Sequence, residues 1–356
     1  MKNRPKLLII YTGGTIGMIE DPQTHTLCPF NFDHLIDNVP KIKMLDYDIR
    51  NVQFAKPIDS ACMNPAHWDD MARVIESNYD SFDGFVVLHG TDTMSYTASA
   101  LSFMLENLSK PVIITGSQLP IGEVRTDGEE NLITALQIAA ARDQMGKPVI
   151  REVAILFENY LWRGNRSTKR SADNFNAFRS PNYPELAHIG LDITFNREAI
   201  SHREDGEKLT VHYNISTDVA VLFLYPGITE QSVTQILATP GLRGVVMKSY
   251  GAGNAPTEQW LLDALTDAVK RGIVVLNTTQ CTNGSVMQNL YETGRKIANC
   301  GCMSGYDITT EAALTKMMYL FGRYPDDTEE VKRMLKVSIR GEMTLHPHTS
   351  AVHSHI

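Results

Sequence analysis

Seven short apolar runs constrain this chain more than any other feature. They are residues 7–11 (LLIIY), 85–89 (FVVLH), 112–115 (VIIT), 153–157 (VAILF), 219–224 (VAVLFL), 244–247 (GVVM) and 273–277 (IVVLN). They are rich in β-branched side chains and end at glycine or polar punctuation. Continuous rather than alternating apolarity suits strands buried on both faces, as in a parallel sheet. Helical patterns lie between them. Ala98, Leu101 and Leu105 share one face of residues 97–107, and Leu132, Leu136 and Ala139 share one face of 130–141. Similar patterns occupy 259–270 and 310–320. Strands alternating with helices predict an α/β fold.

At 356 residues the chain favours two domains. The alternation fades over 186–217, a polar stretch in which a short hairpin around Asp205-Gly206 is expected. The expected organisation is therefore a larger N-terminal domain at 1–190, with a parallel-type sheet and flanking helices. A linker at 191–217 and a smaller C-terminal α/β domain at 218–345 follow. Residues 346–356 read as a frayed tail, whose histidines are too irregularly spaced for a folded metal site.

The formal net charge is −8, and no Lys/Arg-rich run marks a nucleic-acid footprint. No run of about 18 apolar residues predicts a membrane span. The apolar stretch after Lys2, Arg4 and Lys6 is too short for a secretory signal, so an intracellular, cytoplasmic protein is expected. The five cysteines, Cys28, Cys62, Cys281, Cys300 and Cys302, are scattered and suggest no disulfide framework. Cys300 and Cys302 read as packed or surface thiols rather than metal ligands.

Ligands of open α/β sheets bind beyond the carboxyl ends of the strands. The first run ends in Thr12-Gly13-Gly14-Thr15, the second in Gly90-Thr91-Asp92-Thr93, and the third in Gly116-Ser117-Gln118. Any one such loop is an ordinary turn or helix cap. Three together, carrying Thr15, Thr91 and Asp92 at matching strand ends, point to a site. The glycine pair matches neither the dinucleotide fingerprint nor the P-loop, so no nucleotide cofactor is expected. A hydroxyl nucleophile needs a base. His89 reads as a packed structural histidine, while Thr12 reads as a turn-stabilising hydroxyl. Lys169, in RGNRSTKRSADNF, is the better candidate base. The residues alone leave it open, since a lysine in a basic loop is ordinarily solvated.

TGGTIG at 12–17 together with HGTDTM at 89–94 resembles the bacterial-type L-asparaginase family, in its cytoplasmic (type I) branch. RGNRSTK, SYGAGNAP, GIVVLNTTQC and the long segment around HGTDTM extend the resemblance over nearly the whole chain. It implies hydrolysis of L-asparagine to L-aspartate and ammonia, without a cofactor. Thr15 would attack the side-chain amide carbon to give an acyl-enzyme. Thr91, Asp92 and Lys169 would share the pocket, and backbone N–H groups near Thr91 and Ser117 would stabilise the oxyanion. Ser60, with Asp59 beside it, would hold the substrate α-carboxylate. Asn254 would come from a neighbouring subunit, making the active unit a homodimer or homotetramer.

Three departures carry expectations of their own. Residues 18–46 lack the tyrosine that family members place near the nucleophile, so Thr24, Thr26 or a water takes its place. Ala61 stands where secreted members carry a glutamine, which predicts poor use of L-glutamine. An allosteric asparagine site of some members matches here at Thr168 and Cys281, but Lys248 replaces its arginine. A lysine lacks the two-pronged grip of a guanidinium on a carboxylate, so weakened activation is expected. The competing readings are a tRNA-dependent amidotransferase subunit, expected to carry an N-terminal extension; a lysophospholipase-like or glutaminase homologue; and a non-catalytic amino-acid-binding module.

Overall fold

The computed structural model describes residues 4–20, 27–29, 39–202, 206–288 and 290–345. The chain forms two compact units, Met1–Ile215 and Ser216–Ile356.

The first unit is built on an eight-stranded sheet. Its strands are β1 (Lys6–Gly13), β2 (Asp48–Ile58), β3 (Gly84–Leu88), β4 (Val112–Thr115), β5 (Val153–Phe157), β6 (Tyr160–Arg163), β7 (Ala187–Ile189) and β8 (Ile193–Phe195). Their order is β8-β7-β6-β5-β4-β3-β1-β2. The first five pair in parallel; β1, β3, β4 and β5 do so as their unbroken apolarity predicts, whereas β2, DIRNVQFAKPI, forms no apolar run and lies half-exposed at the sheet edge. The last three pair antiparallel. The reason is local. Only two residues separate β5 from β6, too few for a crossover, and Glu158 turns the chain at φ 51°.

Helices α1 (Pro65–Asn78), α2 (Met94–Met104) and α3 (Gly128–Ala140) connect the parallel strands. Leu7, Ile9, Tyr11, Val86 and Leu88 join Leu132, Leu136 and Ala139 of α3 in one buried cluster. Leu8, Ile10 and Val87, on the alternate positions, are equally buried, so both sheet faces are covered. Removing such a side chain from water contributes about 1.5–3 kcal/mol. Asn64 starts α1 by accepting the Ala66 N–H, with Pro65 in the first turn.

The order β2-β1-β3-β4-β5 changes direction between β1 and β3, which is where such sheets open a binding crevice. Register does the rest. Tyr11 pairs with Leu88, and Leu88 with Thr115, so three strand-end loops leave the sheet at one level.

Residues 191–217, expected as a linker, contain β8 and the pair Thr210–Val211, which bonds to Leu105–Glu106. Tyr213 donates to Glu76 at 2.5 Å, and His212 meets Glu106 at 2.5 Å. Asp205 of the expected hairpin and the tail at 346–356 lie outside the described residues.

The second unit holds a parallel sheet in the order β9 (Val219–Phe223), β10 (Gly244–Ser249), β11 (Val274–Thr279), β12 (Met303–Ser304). Its helices are α4 (Glu230–Leu237), α5 (Gln259–Lys270), α6 (Glu292–Asn299), α7 (Thr310–Arg323) and α8 (Thr328–Leu335). Cys300 and Cys302 are buried free thiols in its core, and burial pushes the Cys302 thiol up. Among the described residues, no helix is long and apolar enough to cross a membrane.

Candidate active site

The turn after β1 is shaped by how closely three loops approach. Gly13 lies at φ 137°, and a Cβ there would sit 2.2 Å from the Ile58 carbonyl oxygen. Gly14 lies at φ 90°, and its Cβ would sit 2.5 Å from the Gly90 nitrogen. Only glycine meets both demands, left-handed backbone and no side chain. The double glycine therefore brings the end of β1 into backbone contact with the loops after β2 and β3. Thr12 is buried and donates to the Leu88 carbonyl at 2.9 Å, joining β1 to β3. Thr15 opens the short turn Thr15–Gly17 and is half-buried. Tyr11 holds that turn from below, donating to the Gly17 carbonyl at 3.1 Å. Burial pushes the Tyr11 phenol up to about 12, so it stays a neutral donor.

Ser60 is buried at the end of the β2 loop. Its hydroxyl accepts the Asp92 N–H at 3.3 Å, and its carbonyl accepts the Thr93 hydroxyl at 2.7 Å. The loop after β3 thus donates twice to Ser60 of the loop after β2. Asp59 is exposed, and one of its oxygens accepts the Ala61 N–H at 2.9 Å.

Lys169 arrives from further along the chain. After β6 and the turn Gly164–Arg166, Thr168–Lys169 pairs with Phe178–Arg179. Phe178 is buried against Phe157 of β5, ring centroids 4.9 Å apart, which anchors this ribbon. The Lys169 ammonium donates to Thr91 Oγ1 at 2.9 Å and to Asp92 Oδ1 at 2.7 Å. Thr91 in turn donates to Gln118 Oε1 at 3.3 Å. The Gln118 amide also donates to the Ala172 and Asn174 carbonyls, at 3.3 and 3.1 Å. An ammonium, a hydroxyl and a carboxylate therefore stand in one bonded group, the pattern of a proton relay. Ser117 is buried, and its hydroxyl donates to the Leu119 carbonyl at 2.5 Å.

These features define the family on comparison. Residues 6–201 match the model of the N-terminal asparaginase domain, and residues 218–335 match that of the glutaminase/asparaginase C-terminal domain. The chain belongs to the asparaginase family. It is 43% identical to L-asparaginase 1 of Escherichia coli strain K12 over 96% of this chain and 98% of that protein. It is 41% identical to the mouse 60 kDa lysophospholipase over 96% of this chain and 63% of that one. The crystal structure of L-asparaginase I from Vibrio cholerae superposes with a TM-score of 0.87 at 40% identity, covering 96% of this chain and all of that one.

Three other residues singled out by the asparaginase resemblance, Asn254, Lys248 and Cys281, lie in the second unit. Asn254 accepts the Thr293 hydroxyl on Oδ1 at 2.7 Å. Lys248, at the end of β10, donates to the Thr279 carbonyl and, at 2.8 Å, to the Thr310 hydroxyl. Burial lowers its ammonium below the usual lysine value, opposed by Glu311 and Cys281. Cys281 is an exposed free thiol. Thr168 stays in the first unit, paired with Arg179. Thr24 and Thr26 lie outside the described residues.

Sequence reasoning assigned nothing to Asp127 or Asn131. Asp127 takes the N–H groups of Gln118 and Leu119, and Asn131 takes the Gly116 carbonyl. The available signal was an Asp-Gly step immediately before a helical period, a common helix start.

Proposed function

We propose that this chain hydrolyses L-asparagine to L-aspartate and ammonia through an acyl-enzyme on Thr15. The observation that carries this reading is the Lys169–Thr91–Asp92 group beside the glycine-shaped turn that bears Thr15. Thr15 Oγ attacks the amide carbon, and its proton passes through a water or a loop hydroxyl to the departing nitrogen. That leaves as ammonia. Water then attacks the acyl carbon, giving its proton to Thr91, as Thr91 passes its own proton to Lys169 and the Lys169 ammonium passes one to Asp92. Collapse of the tetrahedral adduct breaks the ester bond and returns the proton to Thr15. Backbone N–H groups near Thr91 and Ser117 hold the oxyanion at each attack.

Ser60 holds the substrate α-carboxylate, with Asp59 beside it at the substrate end of the loop. Asp92 keeps the lysine oriented and, with its side chain 61% exposed, is open to the substrate ammonium. Asn254 reaches the pocket of a neighbouring copy, in a homodimer or homotetramer. Its support is the exposed apolar surface of Met287, Leu290 and Tyr291 carried on the segment that bonds to its loop. Lys248 is engaged internally by Thr279 and Thr310, which favours weak activation by asparagine at the Thr168, Lys248 and Cys281 positions. The cytoplasm is the proposed compartment, and the exposed free thiols Cys62 and Cys281 suit its reducing conditions.

The test is ammonia release by the wild type and Thr15→Ala, with L-glutamine and D-asparagine alongside. Wild-type release should fall by roughly a thousandfold or more in Thr15→Ala. The kcat/KM for L-glutamine should lie at least about tenfold below that for L-asparagine. Activity that survives in Thr15→Ala would move the nucleophile to Thr91.

A further inference from the structure

We propose that Asp127 and Asn131 are positioning residues for the hydrolysis, acting on Thr91 through the backbone and side chain of Gln118. The inference rests on the reading of Thr91 and Lys169 as a relay. Neither residue bonds to Thr91 itself. Asp127 precedes α3, and both of its oxygens lie 3.0 Å from the Gln118 nitrogen. One of them also accepts the Leu119 N–H at 3.1 Å. Asn131, one helical turn on, donates to the Gly116 carbonyl at 3.0 Å and to Asp127 at 3.3 Å. Its own oxygen accepts the Glu158 N–H at 2.9 Å.

Two side chains therefore hold three consecutive peptide units after β4 and the turn after β5. The Gln118 side chain leaves this clamped backbone and closes on Thr91 and on the carbonyls of 172 and 174, just past Lys169. A shift of the 116–119 turn moves the acceptor that orients the Thr91 hydroxyl and the brace on the Lys169 ribbon together. Burial raises the Asp127 carboxyl, opposed by the Gln118 and Leu119 N–H groups and by Asn131.

Displacements of about 1 Å near a reacting group lower rates by up to roughly a hundredfold. Asp127→Ala should lower kcat by at least about tenfold, with the KM for L-asparagine within about threefold of wild type. Asp127→Asn keeps one oxygen for both N–H groups but turns an NH2 towards the Gln118 N–H and the Asn131 amide, so it should recover kcat only in part. The deciding measurement is a cycle with Gln118→Met. A clamp acting through Gln118 makes the double variant no slower than the slower single one. Losses that multiply, or a kcat for Asp127→Ala within twofold of wild type while Thr91→Val is slow, would overturn the proposal alone. An undiminished Thr91→Val would overturn the relay reading and the route to Thr91 with it. Should Asp127→Ala fail to fold, Asp127→Ser, which keeps a small polar side chain, is scored the same way.

Discussion

Two lysine–carboxylate pairs of nearly equal length do opposite things in this protein. In the first unit Lys169 meets Asp92 at 2.7 Å, with side chains 19% and 61% exposed. In the second, Lys316 of α7 meets Glu342 at 2.6 Å, with both side chains fully buried. The Lys316 ammonium also donates to the Val337 carbonyl at 2.6 Å. Glu342 also accepts the N–H groups of Ile339 and Arg340, at 3.1 and 2.8 Å. Burial raises the Glu342 carboxyl, but Lys316 and the backbone N–H groups of Arg340 and of Glu342 itself outweigh it and hold it below the ordinary carboxylate range. Every valence is satisfied inside the fold, so this pair has no vacancy for a substrate. The Lys169 pair keeps an open carboxylate and shares its ammonium with a hydroxyl that can itself exchange a proton. Saturation, not distance, separates a structural ion pair from a chemical one.

The largest effect that would break this comparison is on rate. Lys169→Met should lower kcat for L-asparagine by about 10²–10⁴-fold, the scale for a positioned acid–base group. Its thermal midpoint should stay close to wild type, because the pair is open to water and exposed pairs contribute little. Ammonia release and calorimetry on one preparation check both halves. A thermal midpoint that falls sharply while kcat stays at the wild-type value would reverse the assignment.

Lys316→Met should show the mirror image. It strands a buried carboxylate, which typically costs about 3–5 kcal/mol. Turnover per folded molecule should not change. Urea titration gives the stability loss, and the slope shows whether the transition stays two-state. Replacing both partners, Lys316→Met with Glu342→Leu, should recover most of that loss, since an apolar pair of similar volume leaves no charge unpaired. Equal losses in the single and double variants would mean that the pair is not the source.

The contrast also marks what was legible in the sequence. Four of the five parallel strands of the first unit, β1, β3, β4 and β5, announced themselves by unbroken apolar runs, and the loops that follow them could be found by counting from their ends; β2 did not, because DIRNVQFAKPI is an edge strand with polar and half-exposed residues throughout. β7 and β8 could not, because AHI and ITF are too short and too exposed for a period to register. α2 starts at Met94, three residues before the expected pattern, because Met94 and Ser95 are buried where a periodic reading expects a polar face. Lys169 was a candidate base that the residues alone left open until the resemblance singled it out. Its ribbon is only two residues long on each side, and what fixes it is the distant packing of Phe178 on Phe157. The Lys316–Glu342 pair joins residues 26 positions apart, a relation that neither helical periodicity nor motif reading detects.

A third buried group sharpens the comparison by having no charge partner. His89 closes the β3 run and is completely buried just before Gly90 and Thr91. With its proton on Nδ1 it donates to the Gly90 carbonyl at 2.6 Å, while Nε2 accepts the Thr97 hydroxyl at 2.9 Å. Thr97 in turn accepts the Trp68 indole N–H at 3.0 Å, so the neutral ring is fully bonded. Burial pushes its pKa down from 6.5 to about 4, opposed only by the Gly90 bond. The unfolded chain therefore binds this proton at a higher pH than the folded one does. The stability tied to neutral His89 is fully present above about pH 6.5 and is lost as the pH falls towards 4. The difference amounts to roughly 3 kcal/mol. Urea midpoints of the wild type and His89→Gln, followed from pH 7 to pH 4.5, should converge as acid removes the wild type's advantage. Parallel curves would show that acid acts elsewhere. Convergence would mean that acid stress falls first on the strand end from which Thr91 is hung, a weakness that the saturated Lys316 pair does not share.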